Sequence, residues 1–419
     1  MSERTSVWVE LPDGELVKVG ELENVVNPRG YALRSEFKYD AGFLTHPLAY
    51  PLCPELPLTT RTLPTVGGKP LAGAFSDASP DSWGCLLLSH AEAEAARLEN
   101  RRPRVMREFE YLLAAPDPTR MGALRFTDAN GEFLSPARGN VPTMVDLPEL
   151  LTALTEVDNI NPDPNILEVL TRAGTSMGGA RPKATIIDDR GRLAMVKLPQ
   201  RNDAWDVLAW EGVVTRLGRA AGINTVRTCV HRLDADRSVL VSTRFDRAGT
   251  HRIGYLSAAS LIPDALTDAA SGISTSYAQL AASVAHVSAD PDADLAELFR
   301  RVALTIGINN TDDHVRNHGL LRTKRGWRLA PMFDVNPFPR RNSTGSMSIT
   351  VGGDPSYREA SELLQAADMF RLKPDAARDI IAQVRQAITG WATTALTLGI
   401  EKNQLSGWES VFVSPALDT

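Results

Sequence analysis

Asn309–Gly319 reads NNTDDHVRNHG. Two acids, two histidines, three amides and an arginine fall within these eleven residues. The flanks are apolar, VALTIGI before and LL after, so the polar cluster sits between two pieces of core. Buried polar groups need partners or a chemical task. Closure of the preceding helix, DLAELFRRVALTIGI, by Asn310 or Thr311 accounts for one or two of these residues and leaves the rest. A zinc reading is weak. His314 and His318 have the i, i+4 spacing, but Val315 stands where H-E-x-x-H needs its Glu, and no third ligand is evident.

Spacing gives a better account. Asp312 and Asn317 are five residues apart, like the Asp and Asn of the protein-kinase catalytic loop H-R-D-x-x-x-x-N. There the Asp accepts the proton of the attacking hydroxyl and the Asn ligates a metal. Asn310 and Thr311 replace the His and Arg, so the match lies in spacing and roles rather than letters. Seventeen residues after Asn317, Asp334 in LAPMFDVNPFP follows a short apolar strand. The metal-binding Asp of kinases has this order and roughly this distance, although here Phe333 precedes the acid and Val335 follows. The structural alternative is an Asx turn at a strand end.

Upstream, Lys197 in AMVKLP shares a strand face with Met195 and Leu193, and an ammonium on such a face needs a partner. Glu211, fourteen residues on, borders the apolar stripe of the next helix. A strand Lys with a helix Glu is how kinases hold the lysine of the α- and β-phosphates. Two solvated charges or a surface salt bridge are the alternatives. Before that strand comes AGTSMGGARPKATI, residues 173–186. Gly174, Gly178 and Gly179 permit close backbone approach to an anion. The P-loop pattern fails, because Ala180 stands where its Lys belongs and no Ser or Thr follows Lys183. The other reading of this loop is a flexible linker turn. Ser176 at its tip is either a phosphate contact or a modifiable hydroxyl.

The 419 residues are too many for one core and imply two or three subdomains. A net charge of -6 gives no general attraction to nucleic acid or anionic membrane. No apolar run approaches the roughly 18 residues a membrane span requires. The first residues lack the apolar stretch of a signal peptide. Cys53, Cys85 and Cys229 are unpatterned and suit a reducing compartment, so the expected location is the cytoplasm.

Residues 6–20 alternate as two strands around Pro-Asp-Gly, and a helix is expected from Ser82 to about Glu99. SPARGNVP, residues 135–142, reads as a linker. LPELLTALTEVD and ILEVLTRAGT read as helices, and KATIID with RLAMVKLP as a hairpin. In the segment from Asp203, residues Val207, Trp210, Val214, Leu217 and Ala221 mark an amphipathic helix, with Asp203 as N-cap and Gly222 as stop. VRTCVHRLD and SVLVSTRFD are two further strands, and helices dominate beyond residue 256. The expected fold is α+β with two lobes, divided at 1–140, 141–245 and 246–419.

The ordered set resembles the HipA family of bacterial serine/threonine kinases, the toxin half of type II toxin–antitoxin pairs. The resemblance rests on SMGGARPK, VKLP, RFDR, NNTDDHVRNHGLL, LAPMFDV and the N-terminal GAFSDASPDSWG, and it spans most of the chain. It implies a two-lobed protein-kinase-like fold with an extra N-terminal α/β subdomain and an all-helical C-terminal lobe, using ATP and Mg2+. It makes Asp312 the catalytic base, Asn317 and Asp334 the metal ligands, and Lys197 the phosphate-binding lysine. It places Ser176, Met177, Gly178, Gly179, Lys183, Thr243, Phe245 and His314 at the nucleotide, with Leu240 to Phe245 as the hinge beside adenine. Ser176 falls on the family's autophosphorylation serine, whose phosphate would place nearly two negative charges where ATP phosphates sit. Thr243 departs from the pattern, since some relatives carry Glu there.

The resemblance also implies a HipB-type helix-turn-helix antitoxin as partner, DNA engaged only through it, and a protein substrate, in some relatives an aminoacyl-tRNA synthetase. Arg340 and Arg341, in the segment after Asp334, fit either acidic substrate groups or solvent. Two other readings keep the same residues: a small-molecule kinase on the same core, and a catalytically weak corepressor of a DNA-binding antitoxin.

Overall fold

The alternating N-terminal stretch folds as the hairpin β1 (Glu3–Glu10) and β2 (Leu16–Val26), closed by Pro-Asp-Gly. Gly14 in that turn has φ +96°, a left-handed backbone that needs no Cβ. With β3 (Ala32–Tyr39), β4 (Leu63–Pro64) and β5 (Leu124–Thr127) it forms an antiparallel sheet in the order β4-β3-β2-β1-β5. Alternate residues bury one face, Thr5, Val7 and Val9 from β1 and Ser35, Phe37 and Tyr39 from β3. Phe75 fills the core beneath, meeting Phe37 and Phe126 edge to face at 5.3 and 6.2 Å between centroids.

These elements come from a computed structural model. It describes residues 3–27, 32–134, 141–157, 170, 181–262, 275–339, 349–351, 359–413 and 417. The chain forms two compact units. The first comprises Met1–Val196, Asp246–Leu256 and Leu321–Lys324, and the second Lys197–Phe245, Ser257–Leu320 and Arg325–Thr419.

The first unit also holds α1 (Ser82–Leu98), within one residue of the expected span. Its N-cap is Asp81, whose carboxylate accepts from the Gly84 amide at 2.7 Å. LPELLTALTEVD gives α2 (Leu147–Val157). The expected hairpin is present as β6 (Lys183–Ile187) and β7 (Leu193–Lys197), with the Asp188 amide donating to the Arg192 carbonyl at 2.8 Å across the turn. The helix expected in ILEVLTRAGT and the linker SPARGNVP lie largely outside the described residues. From RFDR, Asp246 accepts from the Gly122 amide at 2.8 Å, and Arg247 donates to the Arg120 carbonyl at 2.7 Å. That half of the motif braces a turn.

The second unit is built on α3 (Val207–Ala220). Trp210, Val214, Leu217 and Ala221 are buried as the spacing predicts. The N-cap differs from expectation. Asp206, not Asp203, caps the helix, accepting from the Ala209 amide at 3.1 Å, while Asp203 closes a turn by accepting from the Gln200 amide at 2.9 Å. Both acids precede the stripe, and only the later one has its side chain within reach of the first free amides. Gly222, φ +82°, ends the helix as expected, and the Ile223 amide returns to the Gly218 carbonyl at 2.9 Å.

Next come the antiparallel pair β8 (Thr228–Arg232) and β9 (Ser238–Thr243), then α4 (Tyr277–Val287) and α5 (Pro291–Gly307). The strands β10 (Gly319–Thr323) and β11 (Gly326–Leu329) follow. Toward the C-terminus α6 (Pro374–Ile388) and α7 (Trp391–Thr397) complete the helical part. Trp210 stacks on Trp408 at 4.0 Å, joined by Trp391 and Phe412. Phe299 of α5 meets Phe370 at 5.3 Å. No described helix is long and apolar enough to cross a membrane.

Candidate active site

The polar stretch begins where α5 ends. Neither Asn310 nor Thr311 closes that helix, contrary to the simplest sequence expectation. Asn309 does, turning left-handed at φ +54°, and the Asn310 amide reaches back to the Thr305 carbonyl at 3.0 Å. Asn is one of the few non-glycine residues that tolerate this conformation. Its side-chain amide also donates to the Phe338 carbonyl at 2.7 Å. The apolar helix is thus buried, and its terminus launches the loop from a fixed point.

The two adjacent acids then separate in role. Asp313 is buried and engaged on every side. The Tyr277 hydroxyl donates to it, His318 Nε2 lies 3.1 Å away, and Thr305 Oγ1 is at 3.4 Å. Burial alone would raise its pKa, but the His318 charge and the donors from His318 and Tyr277 outweigh it and hold the carboxyl below the ordinary range. His318 is therefore committed to Asp313, and its carbonyl takes the Ala258 amide at 2.8 Å. That pairing replaces the zinc reading. Asp312 is exposed, and among the described residues its carboxylate accepts no hydrogen bond. Packing at its base raises its pKa, His314 opposes this, and the charges of Asp334 and Asp313 add to it. The result is a presented carboxylate of raised basicity beside a buried structural one.

After the 3-10 turn Val315–Asn317, the Asn317 side-chain amide ties two stretches together. Nδ2 donates to the Asp312 carbonyl at 3.2 Å and lies 3.5 Å from the Asp334 carbonyl. Asp334 itself is left-handed, φ +56°, a strained state for a residue with a side chain. Its carboxylate is bonded to Lys197. Lys197, at the end of β7, is also bonded to both oxygens of Glu211 on α3, at 2.7 and 2.8 Å. The expected strand-Lys and helix-Glu pair is a buried ion pair, with side chains 5% and 4% exposed, rather than a surface salt bridge. Burial works against the Lys197 charge, but Asp334 and Glu211 overcome it and raise its pKa, so the lysine is cationic throughout the physiological range.

Lys183, expected at the nucleotide, belongs to the first unit and forms a buried ion pair with Asp81 at 2.7 Å. Thr243 ends β9, its amide donating to the Arg227 carbonyl at 3.0 Å. The Phe245 ring lies 5.3 Å from that of Phe333, one residue before Asp334. His314 Nδ1 is buried and makes no hydrogen bond among the described residues. Ser176, Met177, Gly178, Gly179, Arg340 and Arg341 lie outside the described residues. Sequence reasoning missed Asp81, Tyr277 and Thr305 as partners. Only Asp81 carried a local signal, as an acid before a helix in PDSWG.

The donor set suits a hard divalent cation. Asn317 spends its NH2 group on two carbonyls, and among the described residues its Oδ1 accepts nothing. Asp334 keeps 30% of its side chain exposed. Lys197 brings one positive charge to two carboxylates, which leaves the cluster with a net negative charge. Carboxylate and amide oxygens with excess negative charge match magnesium rather than zinc.

Residues 175–392, just over half of the chain, match the model of the family described as HipA-like C-terminal domain. No curated protein matches the chain. A solved chain from the Shewanella oneidensis MR-1 toxin–antitoxin complex of HipA, HipB and operator DNA is similar over 99% of this chain and 95% of its own. The TM-score is 0.61 at 14% identity. The Helicobacter pylori proinflammatory kinase CtkA aligns over 57% of this chain and 91% of its own with a TM-score of 0.39 and 15% identity, too low to carry an argument. The Shewanella likeness shows the fold, a HipA-type α+β fold, as the resemblance in the sequence implied. Lys197, Glu211, Asp312, Asn317 and Asp334 all fall within the matched residues, and the chain belongs to the HipA family through its HipA-like C-terminal domain.

Proposed function

We propose that this protein is an ATP- and magnesium-dependent serine/threonine protein kinase and the toxin of a toxin–antitoxin pair. The observation that carries the reading is the convergence, within one compact unit, of Lys197, Glu211, Asp334, Asn317 and Asp312. Asp312 accepts the proton of the attacking hydroxyl as that oxygen bonds to the γ-phosphorus and the bond to ADP breaks. Its raised pKa brings it nearer the operating pH, which favours a general base. Lys197, oriented by Glu211, holds phosphate oxygens. Asn317 and Asp334 would hold magnesium, which when bound would offset the negative charge of the phosphates.

The same proposal assigns nucleotide contacts to Ser176, Met177, Gly178, Gly179, Lys183, Thr243, Phe245 and His314, and autophosphorylation to Ser176 as the off switch. Residues 1–140, 141–245 and 246–419 then serve as N-terminal subdomain, nucleotide part and catalytic part. The Shewanella relative was solved with HipB and operator DNA, which supports a HipB-type antitoxin partner and DNA contact through it. The substrate is a protein, with an aminoacyl-tRNA synthetase as one class to test, and the site of action is the cytoplasm. Incubation with γ-labelled ATP tests the reading. Wild type labels protein, and Asp312→Ala loses about 10²–10⁴-fold of that rate. Equal labelling by both removes Asp312 from its role.

A further inference from the structure

Asp81 and Lys183 stand 102 residues apart in sequence, yet their side chains meet at 2.7 Å, only 1% and 3% exposed. Two residues beyond Asp81, the Trp83 indole donates to the backbone carbonyl of the same lysine at 3.1 Å. One turn of α1 therefore grips both ends of Lys183, the ammonium through Asp81 and the main chain through Trp83. Lys183 opens β6, directly after the segment SMGGARP. An ion pair this deep costs desolvation that attraction barely offsets, so stability alone is a poor reason to bury one. Asp81 fixes the direction of one of the ammonium's three donors and so the placing of the whole group.

We propose that Asp81, with Trp83, is a positioning residue for nucleotide binding that acts through Lys183. This rests on the kinase reading above, in which Lys183 contacts the nucleotide. The N-terminal subdomain thereby contributes to ATP affinity without touching ATP.

Asn caps helices as well as Asp, so Asp81→Asn preserves the start of α1 and removes only the charge. The test measures the Kd for magnesium-ATP and the Tm of the full chain as wild type, Asp81→Asn, Lys183→Met and the double variant. Asp81→Asn is expected to lower Tm and to weaken ATP binding by about tenfold or more, measured well below its Tm. The double variant removes both charges of the pair together, so Tm recovers, while ATP binding stays as weak as in Lys183→Met. A double variant that recovers both would make the pair purely structural and overturn the proposal. Wild-type affinity in either single variant also overturns it. A wild-type protein that binds no ATP overturns the kinase reading together with the proposal, whereas ATP binding indifferent to Asp81→Asn overturns the proposal alone.

Discussion

Lys183 opens β6 and Lys197 closes β7 of one hairpin, and both are buried against carboxylates. The difference is in the balance of charge. Lys183 faces Asp81, and both side chains are almost wholly buried. Lys197 faces two acids, one sealed and one with 30% of its side chain exposed. The first pair fixes the position of its lysine. An open pair with an excess negative charge can accept a cation and yield its lysine to phosphate. The same two residue types therefore fix a lysine's position in one place and leave a carboxylate open to solvent in the other.

Replacing each lysine's environment should break the comparison in unequal ways. The largest effect is expected from Lys197→Met, which removes the ammonium bonded to both oxygens of the buried Glu211. Folding stability should fall by about 3–5 kcal/mol in urea titration. Phosphate transfer should fall by about 10²–10³-fold. Unchanged stability would mean that Asp334 and Glu211 are not held by the lysine.

Asp313 sharpens the comparison, because it is a buried acid held by His318 and Tyr277 and, among the described residues, by no lysine. Its folded pKa is depressed, so the stability it adds is present above the ordinary aspartate value of 3.8 and is lost as pH falls through the depressed one. Asp313→Asn should cost about 1–3 kcal/mol at neutral pH and flatten the acid limb of the Tm–pH curve. An unaltered acid limb would place the pH sensitivity elsewhere. The smallest effect separates the two tasks of Asp81. Asp81→Ala should be less stable than Asp81→Asn by about 1 kcal/mol, the worth of the α1 cap. Equal Tm values would show that the cap adds nothing.

How much was legible in the sequence follows from range. The strand-Lys and helix-Glu pair could be read because strand, turn and helix are consecutive and Glu211 lies fourteen residues from Lys197. The spacing of Asp312, Asn317 and Asp334 pointed to one loop and one acid, and the Asn317 amide does span the backbones of both aspartates. The partners of Lys183 and Asp313 could not be read, since Asp81 and Tyr277 are brought in by tertiary packing across 102 and 36 residues. The cap of α3 was misplaced by three residues because Asp203 and Asp206 both precede the apolar stripe, and side-chain reach alone decides between them.

Asp312 as the base of a phosphotransfer reaction is the central claim, and intact-mass analysis with phosphopeptide mapping addresses it most directly. Wild type and Asp312→Ala would each be incubated with ATP and magnesium. The expected result is phosphate on the wild-type chain, mapped to Ser176, and none on the variant. Equal phosphate on both chains would contradict the assignment, and no phosphate on either would contradict autophosphorylation itself.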